Sequence, residues 1–264
     1  GSKYGGGPAG FGMATQNDAP LAAKANVLAK AFLAVELKCA RCHDAPHHDS
    51  VQRDTFQLAA MLGRGPQKLP KSSTVPLGPG GKKPGVTITL KPGERIAPAW
   101  PFAELINEKL PEGVLRKKND SREQLAALLT LPGNQRFGQV IVNRLWHRYF
   151  GRGVVDPVDD WQEADVSHPQ LLDYLAREFV SHGYDLKHLA RLILTSRAYQ
   201  RRTVADDSED ARRLATKWFA STVRRRMTAE QIVDSTFLVV GKPLGSERMT
   251  LDPEGRRPIS SFLN

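Results

Sequence analysis

From residue 120 onward, apolar positions recur at three- and four-residue intervals, the spacing of helices that bury one face. Ser121 with Gln124 forms a capping box ahead of Leu125, Leu128 and Leu129, and Pro132-Gly133 ends that helix. Asn134 is placed to cap a second helix through Phe137, Val140, Ile141, Leu145 and Tyr149, closed by Gly151. Ser167, with Pro169 in the first turn, opens a third through Leu171, Leu172, Leu175 and Phe179, ended by Gly183. Asp185 opens a fourth through Leu186, Leu189, Leu192, Ile193 and Leu194, and residues 206–213 read as charged and solvated. Thr228 with Gln231 makes another capping box before Ile232, Val233, Phe237 and Leu238. About four or five amphipathic helices joined by short loops predict a helical bundle over 120–264.

Upstream the pattern differs. Residues 1–20 are rich in Gly and turn residues and read as an irregular arm. Residues 21–38 are dominated by helix formers, with Val27, Phe32 and Val35 on an apolar stripe beside Leu28 and Ala31. Residues 51–63 form a second short helix ending at Gly63. Pro, Gly, Lys and Ser then dominate. Within this stretch Val86-Thr87-Ile88-Thr89-Leu90 alternates as a β-strand, with residues 95–97 as its partner across the 91–94 turn. The expected fold is mainly α: a helical N-terminal unit (1–63), a linker with a short β-hairpin (64–119), and the C-terminal bundle (120–264).

Composition bounds the function. In 264 residues, 40% are hydrophobic and 25% charged, enough for a packed core. No apolar run approaches the roughly 20 residues of a membrane span. The first residues, Gly1-Ser2-Lys3, carry no signal-peptide pattern, and the chain reads as the middle of a longer precursor. The net charge of +10 is spread over many segments, with one dense run at Arg224-Arg225-Arg226, and reads as a solvated helix coat. Charge alone, without a motif or an aromatic platform, gives no specific nucleic-acid binding. Ser-His-Asp order, H-E-x-x-H and a phosphate-binding glycine loop are all absent from the sequence.

The chemistry concentrates in Cys39-Ala40-Arg41-Cys42-His43, which holds both cysteines of the chain. C-x-x-C-H is the attachment pattern for c-type haem: two thiols add to the vinyl groups and the histidine becomes an axial iron ligand. Cys39 and Cys42 are thus the expected covalent anchors of haem c, and His43 the axial ligand. Candidates for the sixth ligand are His147, His168 and Met61. A zinc site of Cys39, Cys42, His43 and His47 or His48 is the competing reading. Two acids follow farther on, Asp159 and Asp160, beside arginines, and suggest an ion-pair network.

Three functional classes follow. The first is an electron-transfer module or redox subunit, serving a redox partner or larger assembly. The second is a haem enzyme of peroxidase type, with an open sixth position and Arg144 and His147 over it. The third is a helical interaction scaffold whose C-x-x-C-H holds zinc.

Three strings carry a resemblance. Phe32-Leu33-Ala34-Val35-Glu36-Leu37-Lys38-Cys39-Ala40-Arg41-Cys42-His43-Asp44 resembles the cytochrome-like module of large planctomycete-type secreted proteins. Val142-Asn143-Arg144-Leu145-Trp146-His147-Arg148-Tyr149-Phe150-Gly151-Arg152-Gly153-Val154-Val155 resembles the planctomycete-specific domain that follows that module. So does Ser167-His168-Pro169-Gln170-Leu171-Leu172-Asp173 with Leu192-Ile193-Leu194-Thr195-Ser196-Arg197-Ala198-Tyr199-Gln200. The resemblance implies an exported, extracytoplasmic bacterial protein with haem c on Cys39 and Cys42 and His43 on the iron. The family pattern often reads Cys-His-Asp-His-Pro, and Ala45 stands here in place of the second His.

Overall fold

The computed structural model describes residues 19–241, apart from Pro84, Asn107, Glu108, residues 203–207, residues 222–225 and Thr228. The expected 1–20 arm, the Thr228 cap and most of the Arg224-Arg225-Arg226 run lie outside the described residues. Two compact units are distinguished: Asn17–Arg224, and Gly1–Gln16 with Arg225–Asn264. The described part of the second contributes one helix, Ala229–Val239. The first, Asn17–Arg224, holds the rest of the described elements.

Its helices are α1 (Pro20–Leu33), α2 (Gln52–Gly63), α3 (Ser121–Thr130), α4 (Gln135–Phe150), α5 (Pro169–Ser181), α6 (Leu186–Leu194) and α7 (Glu209–Lys217). Among the described residues it also has two antiparallel pairs: β1 (Gln67–Lys68) with β2 (Arg95–Ile96), and β3 (Val155–Asp156) with β4 (Asp165–Val166). The fold is mainly α, as the periodicity predicts. No helix among the described residues is long and apolar enough to cross a membrane.

Two apolar clusters form. The first joins α1, α2 and α3 with Leu69, Leu90, Ile96 and Phe102. The stretch 64–119 is therefore packed into a core through those four side chains. The buried stripe of α1 is Ala22, Ala25, Leu28, Ala29 and Leu33, while Val27 and Phe32 are 41% and 37% exposed. Small alanines let α2 approach the α1 backbone closely, and that contact outweighs the bulkier residues on the neighbouring face. The second cluster joins α4, α5 and α6 with Val154, Val155 and Phe219. There Trp146 stacks on Phe150 at 4.1 Å, and Phe219 meets both edge-on.

Some predicted caps move by one residue. Asp120, not Ser121, accepts the N–H groups of Arg122 and Glu123, because a carboxylate binds those donors more strongly than a hydroxyl. Ser121 instead donates to the Met61 carbonyl. His168 takes the N-cap position of α5, and Ser167 donates its hydroxyl to the Val154 carbonyl. The expected strand over 86–90 is absent: the Thr87 carbonyl accepts from Asp44 N–H, and Leu90 N–H donates to the Gln52 side chain. With its backbone bonded there, β2 pairs with β1 instead. Helix α7, capped by Ser208, falls in the stretch expected to be merely charged.

Asn143 explains part of the 142–155 string. It is fully buried; its amide donates to the Val155 carbonyl at 2.8 Å, and its oxygen accepts from Val155 N–H at 3.0 Å. Gly153 makes room for this approach, since a Cβ there would lie 2.3 Å from the Val155 oxygen. Asn143→Ala leaves a buried N–H and a buried carbonyl without partners, at about 1–3 kcal/mol each. Urea unfolding of the variant is expected to show a lower midpoint, with an unfolding free energy smaller by a total of about 2–6 kcal/mol.

Glu123 accepts the N–H groups of Arg116 and Lys117, and Asp185 those of His188 and Lys187, and these bonds hold both carboxyls below their usual values. A carboxyl with a depressed folded pKa stabilises above its unfolded value and loses that contribution as pH falls through the folded one. Stability is therefore expected to fall below about pH 4, where free Asp and Glu protonate. Denaturant midpoints measured against pH check this, and Glu123→Gln with Asp185→Asn is expected to flatten the acid limb.

Candidate functional site around Cys39, Cys42 and His43

The last carbonyls of any helix lack partners within it. At the end of α1, Arg144 from α4 fills this need, donating to the Lys30 carbonyl at 2.7 Å and the Ala31 carbonyl at 3.2 Å. Asp159 pairs with the same guanidinium at 2.7 Å. Ala34 then takes a left-handed conformation, φ 52°, which turns the chain out of the helix. Its carbonyl accepts from Trp161 N–H, and Leu37 N–H donates to the Asn26 side chain. The chain is thus delivered into the 39–43 turn at a fixed angle.

That turn is a short 3-10 helix, Cys39–Arg41, with the N–H groups of Cys42 and His43 both directed to the Cys39 carbonyl. Ala40 is fully buried and anchors it. Both thiols are free, Cys39 exposed and Cys42 half-buried. Nδ1 of His43 lies 2.8 Å from the Asp44 carbonyl. A carbonyl only accepts, so Nδ1 donates and the neutral ring keeps its lone pair on Nε2. A hydrogen bond of this kind fixes the tautomer of a metal-binding histidine. The donor set of two thiols and one imidazole on a single turn fits a covalently held haem.

Gln52 clasps the turn. Its side chain is fully buried, donating to the carbonyls of Ser73 at 2.9 Å and Arg41 at 3.3 Å while accepting from Leu90 N–H. Asp44 accepts from Gln52 N–H and from the Thr89 hydroxyl. The loop beyond is closed by Ala45 N–H on the Ser50 carbonyl. His48 donates through Nε2 to Asp160 at 2.6 Å, tying the loop to the segment after α4. Sequence reasoning missed Gln52; in a helix that also carries Arg53, Asp54 and Gln57, nothing local singles it out.

The other predicted residues fall elsewhere. Met61 is buried in the first apolar cluster. His147 is exposed on α4. His168 packs against Trp218 and Phe219. None of these three side chains has a hydrogen bond or ring contact with the 39–43 turn among the described residues. Arg144 is occupied by α1 and Asp159, which removes it from the role of an arginine over an open iron position. His48 is engaged by Asp160 and His47 is exposed. Among the described residues, the donors that gather closely enough for a metal ion are Glu178, His182 and His188, not the cysteines. Their spacing, with Glu178 and His182 one helical turn apart, is the signal the sequence offered for them.

Replacing Gln52 by Leu keeps the volume and strips the clasp of its hydrogen bonds. The carbonyls of Ser73 and Arg41 and Leu90 N–H lose their partner, at a cost of about 1–3 kcal/mol or more. Cys42, now on a looser turn, is expected to react faster with a thiol reagent such as 5,5′-dithiobis(2-nitrobenzoate) than it does in the parent chain.

A family model named PSD1, described as a protein of unknown function (DUF1553), matches residues 121–254 of the 264. No curated protein and no solved structure matches the chain.

Proposed function

We propose, for a chain that belongs to the PSD1 family of proteins of unknown function, that it is a c-type haem-binding electron-transfer module or redox subunit of an exported bacterial system. The N-terminal part would be the cytochrome-like module that its 32–44 string resembles, and the matched part the planctomycete-specific domain that shelters and docks it. The observation that carries the reading is the 39–43 turn. It presents two free thiols three residues apart and an imidazole whose Nε2 keeps its lone pair because Nδ1 donates to the Asp44 carbonyl.

Cys39 and Cys42 would hold the group through thioethers and His43 would ligate the iron. When bound, haem supplies reversible one-electron transfer at iron. The chain's own residues do the rest. Gln52 and Asp44 fix the turn, Ala40 seats it in the protein, and His48 with Asp160 joins its loop to the PSD1 part. The site is half exposed, which suits a module that passes electrons to a protein partner across a short gap. The reading carries an extracytoplasmic location with it, because covalent haem attachment follows export. Peroxidase-type chemistry has less support, since Arg144 is spent on the α1 carbonyls.

The test is export of the full chain in a bacterial host that carries a cytochrome c maturation system, followed by reduction in alkaline pyridine. The expected result is a c-type haemochrome that survives acid–acetone extraction and denaturing electrophoresis. Cys39→Ser and Cys42→Ser each lose one thioether and shift the haemochrome band, and the double variant loses the colour. A colourless, fully matured export product with two titratable thiols would overturn the reading. A carbon monoxide–induced spectral change in the reduced protein would replace electron transfer by an open-site haem enzyme.

A further inference from the structure

Helix α5 ends in a turn that brings three metal-ligating side chains together. Glu178 and His182 lie one turn apart near its C-terminus, and His188 stands in the first turn of α6. The connection is tight. Gly183 and Tyr184 both have positive φ, 63° each, which reverses the chain in two residues. Tyr184 is held by Phe179 and Phe137 edge-on and donates its hydroxyl to the Thr130 carbonyl. Asp185 caps α6 through the N–H groups of Lys187 and His188. The relative placement of the two helix ends therefore comes from backbone and packing, not from the three side chains themselves.

The distances have the scale of a coordination sphere. Glu178 Oε2 lies 3.6 Å from His182 Nδ1 and 3.5 Å from His188 Nε2. Ligands about 2.0–2.1 Å from a tetrahedral zinc are separated by roughly 3.3–3.4 Å. The three donor atoms all lie within 4.8 Å of one another. A second observation points the same way: Nε2 of His188 is buried and has no hydrogen-bond partner, although the ring itself is partly exposed. A buried ring nitrogen without a partner is costly unless something else occupies its lone pair or takes its proton.

We propose that Glu178, His182 and His188 bind a divalent transition-metal ion of the zinc class. Two imidazoles and one carboxylate are a nitrogen–oxygen set suited to zinc, copper or nickel rather than to calcium or magnesium. The two imidazole rings stack at 3.8 Å with 12° between their planes. Ion entry opens that stack about the Glu178 oxygen. His182 Nδ1 now donates to the Glu178 carbonyl at 2.9 Å; on metal binding its proton moves to Nε2 and Nδ1 turns to the ion. The carbonyl keeps a donor, because the Ser181 hydroxyl already reaches it at 3.1 Å. Three protein ligands leave the remaining position to water. The side chains of Glu178, His182 and His188 are 30%, 46% and 29% exposed, so a solute has access to it.

The experiment is titration of the full chain with zinc by calorimetry and with cobalt by absorbance. One ion is expected to bind with nitrogen–oxygen ligand-field bands and without the thiolate charge-transfer band that cysteine ligation gives. His188→Ala and the near-isosteric Glu178→Gln are expected to weaken it by at least the roughly 10–100-fold that losing a mere outer-shell partner costs. His147→Ala is expected to leave it unchanged. Zinc is also expected to raise the thermal midpoint of the parent chain and not that of Glu178→Gln, which checks the variant's folding in the same scan. Binding unaltered by both Glu178→Gln and His188→Ala, or a signal made up only of thiolate charge transfer, would overturn the site. Neither result bears on haem attachment at Cys39 and Cys42.

Discussion

A helix that ends inside a protein must find donors for its last carbonyls, and in α1 that need is met from far along the chain. Arg144 binds the Lys30 and Ala31 carbonyls and is itself held by Asp159. The positive guanidinium also opposes the negative end of the helix dipole. A single residue of α4 therefore sets where α1 stops, and the turn bearing both cysteines begins a few residues later. Trp161 N–H on the Ala34 carbonyl and His48 on Asp160 add to the same seam. Removing the cation would take the donor from a half-buried helix end and loosen the approach to the 39–43 turn.

The polar interior follows one logic throughout. Asn143, Asn134 and Gln52 are buried amides, and each pairs with backbone rather than with another side chain. Asn134 caps α4 with its oxygen while its amide serves the Leu128 and Leu129 carbonyls at the end of α3. An amide carries both donor and acceptor, so one residue completes two unfinished backbone ends. This is how short loops join the helices without leaving orphaned groups.

Much of the fold could be read from residue spacing, because helices that bury one face advertise it. Asn134 and Asp185 cap where the pattern puts them, and Gly151 ends α4 with φ 83°. The ion pair of Arg144 with Asp159 answers to the ion-pair network that the acids and arginines of this region suggest. What could not be read was long-range. Residues 86–90 look like a strand in isolation, yet their partners are Asp44 and Gln52, some forty positions away. The face that α1 buries is chosen by α2, which favours alanines over Val27 and Phe32. The thiols and His43 were visible at once as a motif. Gly183 and the one-turn spacing of Glu178 and His182 were legible, but the arrival of His188 beside them depends on the left-handed turn at Tyr184, which no local pattern announces.

The seam at Arg144 has an evolutionary corollary. A guanidinium that reads main-chain oxygens does not care which side chains residues 30 and 31 carry. Across related chains, position 144 would be held constant while the two residues it touches drift freely, so correlated substitution would give no sign of a contact that joins the two halves.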